Sequence, residues 1–205
     1  MTLLQLNASI YSGDGQSTRL ADEYVARVRD ADPEATIIVR DLAREPVPHL
    51  TSETFGAFLA KPQDRTPEQN EAVAYSDALI DELRRADVIV IGLPMYNFGI
   101  PSTLKAYFDQ VARAGVTFRY TEKGPVGSLV GKKAILFATR GGLYAGTPRE
   151  TVTTSVRQFL ALLGIEDVRF VYAEGLSRGQ SSKEQALDKA RLQIESLTER
   201  ELLAA

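Results

Sequence analysis

Three stretches of this 205-residue chain carry the side-chain types that hold a ligand rather than a core. The first is Ser9-Ile10-Tyr11-Ser12-Gly13-Asp14-Gly15-Gln16-Ser17-Thr18, hydroxyls and glycines set between an apolar run and a helical stripe. Such a loop aims backbone N–H groups and a helix dipole at an anion, with serine hydroxyls as further donors. It holds no Lys, no Walker pattern and no GxGxxG, since Thr18 stands where the third glycine would be. A monophosphate held by dipoles and hydroxyls suits it better than a triphosphate needing metal. The competing reading is a plain capped loop with Ser17 or Thr18 as N-cap. The second stretch, Gly92-Leu93-Pro94-Met95-Tyr96-Asn97-Phe98-Gly99-Ile100-Pro101, sets large side chains where a turn usually has small polar ones. A flat aromatic ligand would use Met95, Tyr96 and Phe98 as a wall and Asn97 as a hydrogen-bonding edge. Otherwise Met95 and Phe98 simply pack on neighbouring helices. In the third, Ala138-Thr139-Arg140-Gly141-Gly142-Leu143-Tyr144, the paired glycines either let a ligand approach backbone N–H groups or serve a turn of positive φ.

What the chain lacks narrows the chemistry further. It has no Cys, no Trp and one His, His49. That excludes disulfides, zinc ribbons, iron–sulfur clusters and thiol nucleophiles, and it excludes a multi-histidine metal site within one chain. No metal site is expected. His49, in an irregular stretch after Pro46 and Pro48, reads as a surface or interface residue rather than an acid–base catalyst. An enzyme of this composition needs a cofactor to carry the hard chemistry. Twenty-four basic against 27 acidic residues give net −3, the opposite of a nucleic-acid footprint. No apolar run approaches the ~18 residues of a membrane span, and the start lacks the basic and apolar regions of a signal peptide. A cytoplasmic protein without membrane or nucleic-acid partners is the expectation.

Strands and helices alternate along the whole chain, residues 1–205, which reads as one domain. Apolar runs at Leu3–Leu6, Thr36–Val39, Val88–Ile91, Ala134–Ala138 and the Val168, Phe170, Tyr172 alternation read as five strands. The third and fourth are apolar on both faces, as central parallel strands are. Helical stripes follow: Leu20, Tyr24 and Val28; Ala72, Leu79 and Leu83 behind a Thr66-Pro67 start; Leu104, Phe108 and Val111, closed by Gly115. Another opens at Thr147-Pro148 and stops at Gly164, and the last spans Ser181 to Leu203 with Ala186, Ala190, Ile194 and Leu197 inward. Residues 43–66 form an excursion with one short helix. Asp41, ending the second strand, reads as an N-cap or turn residue, and Glu122 and Lys123 as solvated. Five βα units predict an α/β fold, a doubly wound five-stranded parallel sheet of order 2-1-3-4-5 with helices on both faces. Ligands in such sheets sit beyond the carboxyl ends of the strands, where the three stretches would converge.

Pro94 to Pro101, then Leu104-Lys105 and Ala112-Arg113-Ala114-Gly115-Val116-Thr117-Phe118-Arg119-Tyr120, strongly resemble the FMN-dependent NADH-azoreductases, also called FMN-dependent NADH:quinone oxidoreductases. Gly124-Pro125-Val126-Gly127, Gly131-Lys132-Lys133, Thr139-Arg140-Gly141-Gly142 and Ala173-Glu174-Gly175 continue the match in order. The resemblance implies a flavodoxin-like homodimer with one FMN per subunit at the interface. It assigns Ser9, Gly15, Gln16 and Ser17 to the FMN phosphate. To the isoalloxazine and ribityl surroundings it assigns Pro94, Met95, Tyr96, Asn97 and Phe98, with Thr139, Arg140, Gly141 and Gly142. Tyr120 matches a residue on the substrate side that reaches in from the partner chain. Leu162, where some relatives have an aromatic, and the variable Leu143-Tyr144-Ala145-Gly146 bear on substrate range.

The activity implied is two-electron transfer from NADH or NADPH to quinones and azo compounds, both substrates using one face in turn, hence ping-pong kinetics. Within it Asn97 would hydrogen-bond the N5/O4 edge of the flavin. The Gly141 and Gly142 N–H groups would stabilise negative charge near N1 and O2, in the manner of an oxyanion hole. Tyr120 would shape the acceptor site. Arg140 would add positive charge or lie solvated. The alternatives are a flavodoxin-like electron-transfer or binding module, and a reductase that releases reduced FMN.

Overall fold

The computed structural model describes the backbone of residues 1–202 and the side chains of residues 1–198. The elements in chain order are β1 (Thr2–Asn7), α1 (Gln16–Ala31), β2 (Thr36–Asp41), α2 (Ser52–Leu59), α3 (Pro67–Arg85), β3 (Val88–Pro94) and α4 (Ser102–Val111). There follow β4 (Phe118–Thr121), β5 (Gly124–Gly127), β6 (Lys133–Thr139), α5 (Val152–Leu163), β7 (Asp167–Ala173) and α6 (Gln180–Leu202). Five strands form one parallel sheet in the order β2-β1-β3-β6-β7, which is the expected order once the small hairpin is set aside. The sheet is flavodoxin-like, and its order reverses between β1 and β3.

Alternation of side chains along the strands divides the core into two layers. Leu4, Leu6, Ile89, Ile91 and Leu136 face Leu79, Ile80 and Leu83 of α3 and Leu104, Tyr107 and Phe108 of α4. Leu3, Val88, Val90, Ile135 and Phe137 face Leu20, Tyr24 and Val28 of α1 and Ala190 and Ile194 of α6. All seven positions of β3 are buried, and all but the first of β6, so neither strand can carry the polar face of an edge. Edge strand β2 leaves Val39 exposed. The expected start of α3 is realised as a capping box: Thr66 Oγ1 accepts from Gln69 N–H while Gln69 Oε1 accepts from Thr66 N–H.

The sequence expectations need correction in several places. Helix α5 begins at Val152, not at Thr147-Pro148. Thr147 N–H and Oγ1 both bond back to the Tyr144 carbonyl in a turn, and the Glu150 carboxylate receives Thr153 N–H at the true helix start. Helix α4 stops at Val111, with Gly115 in the following turn at φ +80°. Strands β4 and β5 form an antiparallel hairpin that periodicity missed, because Phe118 is the only buried residue of its eight and glycine bounds the turn. Val73 rather than Ala72 is buried in α3, and Ala186 is only half-buried in α6. Leu203, the expected end of the last helix, lies outside the described residues. No helix among the described residues is long and apolar enough to cross a membrane.

Candidate active site

The amino end of α1 is built to receive an anion. Its N-cap is Gly15, with no side-chain cap, so the reading of Ser17 or Thr18 as N-cap is wrong. Both residues lie inside the first turn, and the first intrahelical bond runs from Arg19 N–H to the Gly15 carbonyl. The N–H groups of Gln16, Ser17 and Thr18 therefore have no helical acceptor. Ser17 Oγ and Thr18 Oγ1 are buried and without a hydrogen-bond partner, and no acidic side chain occupies the first turn. A side chain at Gly15 would run into Ser9 Oγ, so the loop closes over the helix end only because glycine stands there. The loop is held from outside by Asp41, whose carboxylate receives Ser12 Oγ–H and the N–H groups of Ala43 and Arg44, the expected turn role.

The three loops are tied to one another. Ser9 Oγ shares a hydrogen bond of 3.3 Å with the Tyr96 hydroxyl, which also accepts Ile10 N–H at 3.3 Å. Met95 N–H donates to the Thr139 carbonyl at 3.0 Å. Beyond Met95 the chain turns back on itself. Tyr96 and Gly99 exchange both backbone hydrogen bonds, and Asn97 and Phe98 between them carry φ of +50° and +62°. Two successive non-glycine residues at positive φ are costly, and Phe has no local hydrogen bond to offset it. Contacts from the segment between β6 and α5 hold the turn: Thr151 Oγ1 donates to the Phe98 carbonyl, and the Phe98 ring meets Tyr144 edge-on at 5.5 Å.

Arg140 is buried rather than solvated, and its Nε and Nη1 have no hydrogen-bond partner. It is 2% exposed and ion-paired with Glu150 and, at 3.7 Å, with Glu174; it also lies 5.0 Å over the Tyr172 ring. Burial works to raise the Glu150 carboxyl, but hydrogen bonds from Thr153 and Arg140 outweigh it and hold it below its ordinary 4.5. The N–H groups of Gly141 and Gly142 have no acceptor among the described residues.

A cavity of about 220 Å³ lies where these loops meet. Of the sequence-derived site residues it is lined by Ser9, Gly15, Gln16, Ser17, Pro94, Met95, Tyr96, Thr139, Arg140 and Gly141. Asn97 and Phe98 stand exposed in the adjoining turn, and Gly142 follows Gly141 beneath the Tyr144 ring. Tyr120 is not brought to this cavity: it sits on the hairpin, 76% exposed, against Phe118. Sequence reasoning missed Tyr11, Leu176 and Ser177, which also line the cavity. Leu176 and Ser177 follow the Ala173-Glu174-Gly175 segment, whose place at the end of the last strand was the available signal. His49 is exposed and is not among the residues that line the cavity. No group of three or more metal-ligating side chains occurs among the described residues.

The chain is similar to known proteins over almost its whole length. A family model described as a flavodoxin-like fold matches residues 1–197. The FMN-dependent NADH:quinone oxidoreductase 6 of Burkholderia lata is 53% identical over 190 residues, covering 93% of this chain and 96% of that protein. The FMN-dependent NADH:quinone oxidoreductase of Alcanivorax borkumensis is 49% identical over 194 residues, covering 95% and 98%. Among solved structures, an FMN-dependent NADH-azoreductase from Bacillus anthracis in complex with FMN superposes with a TM-score of 0.88 at 26% identity, covering 97% and 98% of the two chains.

Proposed function

The chain belongs to the flavodoxin-like family of FMN-dependent NADH:quinone oxidoreductases, and we propose that it transfers two electrons from NADH or NADPH to quinones and azo compounds, with FMN held at the carboxyl end of its sheet. FMN would supply the hydride acceptance and two-electron donation that a chain without Cys and with one exposed His cannot. The observation that carries the reading is the buried, unpartnered pair Ser17 Oγ and Thr18 Oγ1 at an uncapped helix end. Leaving a buried hydroxyl unsatisfied costs about 1–3 kcal/mol, a cost a bound phosphate removes.

The residues present fit FMN. Gln16, Ser17 and Thr18 would receive the phosphate through N–H and hydroxyl donors, with Ser9 fixed beside them by Tyr96. Pro94, Met95 and Tyr96 would wall the ring system against Thr139 and Gly141. Asn97, held at positive φ at the mouth, would offer its amide to the N5/O4 edge, while the free N–H groups of Gly141 and Gly142 would stabilise charge near N1 and O2. Exclusion of water on one side falls to the buried strands β3 and β6 beneath the cavity.

Residues 1–205 act in this proposal as one FMN-binding domain of a cytoplasmic homodimer. Tyr120 supports a role between subunits: it is exposed on a hairpin away from its own cavity. Ile10, Tyr11, Phe98 and Leu143, each at least half exposed around the site loops, are apolar surface that a second copy would cover. In that arrangement Tyr120 of one subunit shapes the acceptor site of the other.

Purified protein should be yellow and release FMN on denaturation. Anaerobic NADH should bleach it, and benzoquinone should restore the colour. A colourless protein that neither takes up FMN nor oxidises NADH with quinone overturns the proposal, and free reduced FMN leaving the protein would make it a flavin reductase instead.

A further inference from the structure

The segment after β7 holds the third site loop in an unusual way. The carbonyls of three successive residues, Arg140, Gly141 and Gly142, accept from Leu176 N–H at 3.1 Å, Ser177 N–H at 3.0 Å and Gly175 N–H at 2.8 Å. A trans peptide is planar, with its C=O and N–H pointing opposite ways. Three carbonyls turned to one segment therefore turn the N–H groups of Gly141, Gly142 and Leu143 off it. The first two have no acceptor among the described residues, beside the cavity that Gly141 lines. The fit is close: a Cβ at Gly141 would stand 2.7 Å from Ser177 Oγ.

Glu174, the residue that leads this segment, grips the other end of the loop. One oxygen, Oε1, accepts Tyr144 N–H and Ala145 N–H, both at 2.9 Å, and faces Arg140 Nε at 3.7 Å. Arg140 and Ala145 bracket the glycine pair, so one carboxylate oxygen holds both flanks of the turn. The Glu174 side chain is 14% exposed, and a hydrogen bond to a charged acceptor is stronger when water is kept away. Nothing in the spacing of Arg140 and Glu174, 34 residues apart, announces this contact.

We propose that Glu174 is a positioning residue: by holding Arg140, Tyr144 and Ala145 on one oxygen it keeps the Gly141 and Gly142 N–H groups pointed at the flavin, and so sets how strongly the site favours reduced over oxidised FMN. The inference rests on the FMN reading of the cavity. Glu174 touches no ligand itself. Its effect is on the charge that gathers near N1 and O2 on reduction, so its removal acts more on the reduced than on the oxidised form.

The test uses the full chain loaded with FMN, with two readouts: the FMN dissociation constant by flavin fluorescence, and the midpoint potential of the bound flavin. Glu174→Ala should weaken oxidised FMN only a fewfold. It should lower the preference for reduced FMN about tenfold, a shift of about 30 mV to more negative potential for a two-electron couple. Glu174→Gln keeps an oxygen for the Tyr144 and Ala145 N–H groups and should restore most of the potential. If the alanine variant does not fold, the Asp variant, too short to span the same partners, takes its place and should show the negative shift. An Ala or Asp variant with the wild-type potential, or a Gln variant no better than Ala, overturns the proposal. Failure of the wild-type protein to bind FMN would overturn the reading of the cavity instead.

Discussion

At the amino end of the sheet a cleft of about 550 Å³ runs between the hairpin, the end of α5 and the starts of β6 and β7, lined by Val126, Val130, Lys132, Gly164 and Asp167 among others. The cavity at the carboxyl end is less than half that volume, about 220 Å³. Size alone would choose the wrong one. In the larger cleft Lys132 is spent on the fold: its Nζ donates to the Arg84 and Ala86 carbonyls at 2.7 and 2.6 Å and closes the end of α3. Burial holds that amine below its ordinary value, as expected of a cation enlisted for structure. At the smaller cavity the buried Ser17 hydroxyl in its lining, and that of Thr18 next to it in the same helix turn, are unspent. A site is marked by hydrogen-bonding capacity the fold leaves over, at a cost to the empty protein.

That contrast can be broken at the carboxyl end first. Gly15→Val puts a branched side chain into Ser9 and should abolish FMN retention, seen as colourless protein after gel filtration. Retained flavin would show that the loop does not need to close on the helix end. Ser17→Ala should weaken FMN about 10–100-fold, the value of a hydrogen bond to a charged group. The same variant without FMN should melt at or above the wild-type temperature, because an unsatisfied buried hydroxyl has gone. A drop in the melting temperature of the empty protein would mean that the fold itself uses this group.

A smaller effect should come from the ion cluster behind the glycine turn. Glu150 is held below its ordinary 4.5 in the folded protein, so the folded state binds fewer protons than the unfolded chain as pH falls. Its stabilisation is complete above pH 4.5 and declines below it. Acid titration of stability should therefore show a loss beginning near that value, and Glu150→Gln should flatten it; an unchanged profile would remove Glu150 from the account. Smallest of all, Lys132→Ala at the amino end should leave FMN affinity and turnover unchanged and cost about 1 kcal/mol in denaturant melts for two carbonyls released to water. Lost turnover there would make the larger cleft part of the function and undo the comparison.

Much of this was readable from residues alone. Val88–Ile91 and Ala134–Ala138 announced buried central strands, and Thr66-Pro67 announced a helix start. The three loops to search followed from the order of elements, and ten of the thirteen residues that the resemblance assigned to FMN line one cavity. The hairpin escaped because its strands are short and mostly exposed, so burial imposed no alternation on them. That Arg140 lies buried rather than solvated was not legible for a different reason: its partners Glu150 and Glu174 lie 10 and 34 residues away, on a helix start and beyond another strand.

By itself the sequence determined the periodicities, the absence of a thiol or a second imidazole, and the gathering of hydroxyls, aromatics and glycines in loops that follow strands. Those properties depend on windows of a few residues, over which backbone geometry repeats and side chains must alternate or recur. Only the tertiary structure decided which hydroxyls stay unpaired, which way Arg140 turns, and that Tyr120 stands away from its own chain's cavity. Each of these is set by which strand ends lie side by side, and parallel β6 and β7 place the Arg140 loop against Glu174 only once the sheet has closed.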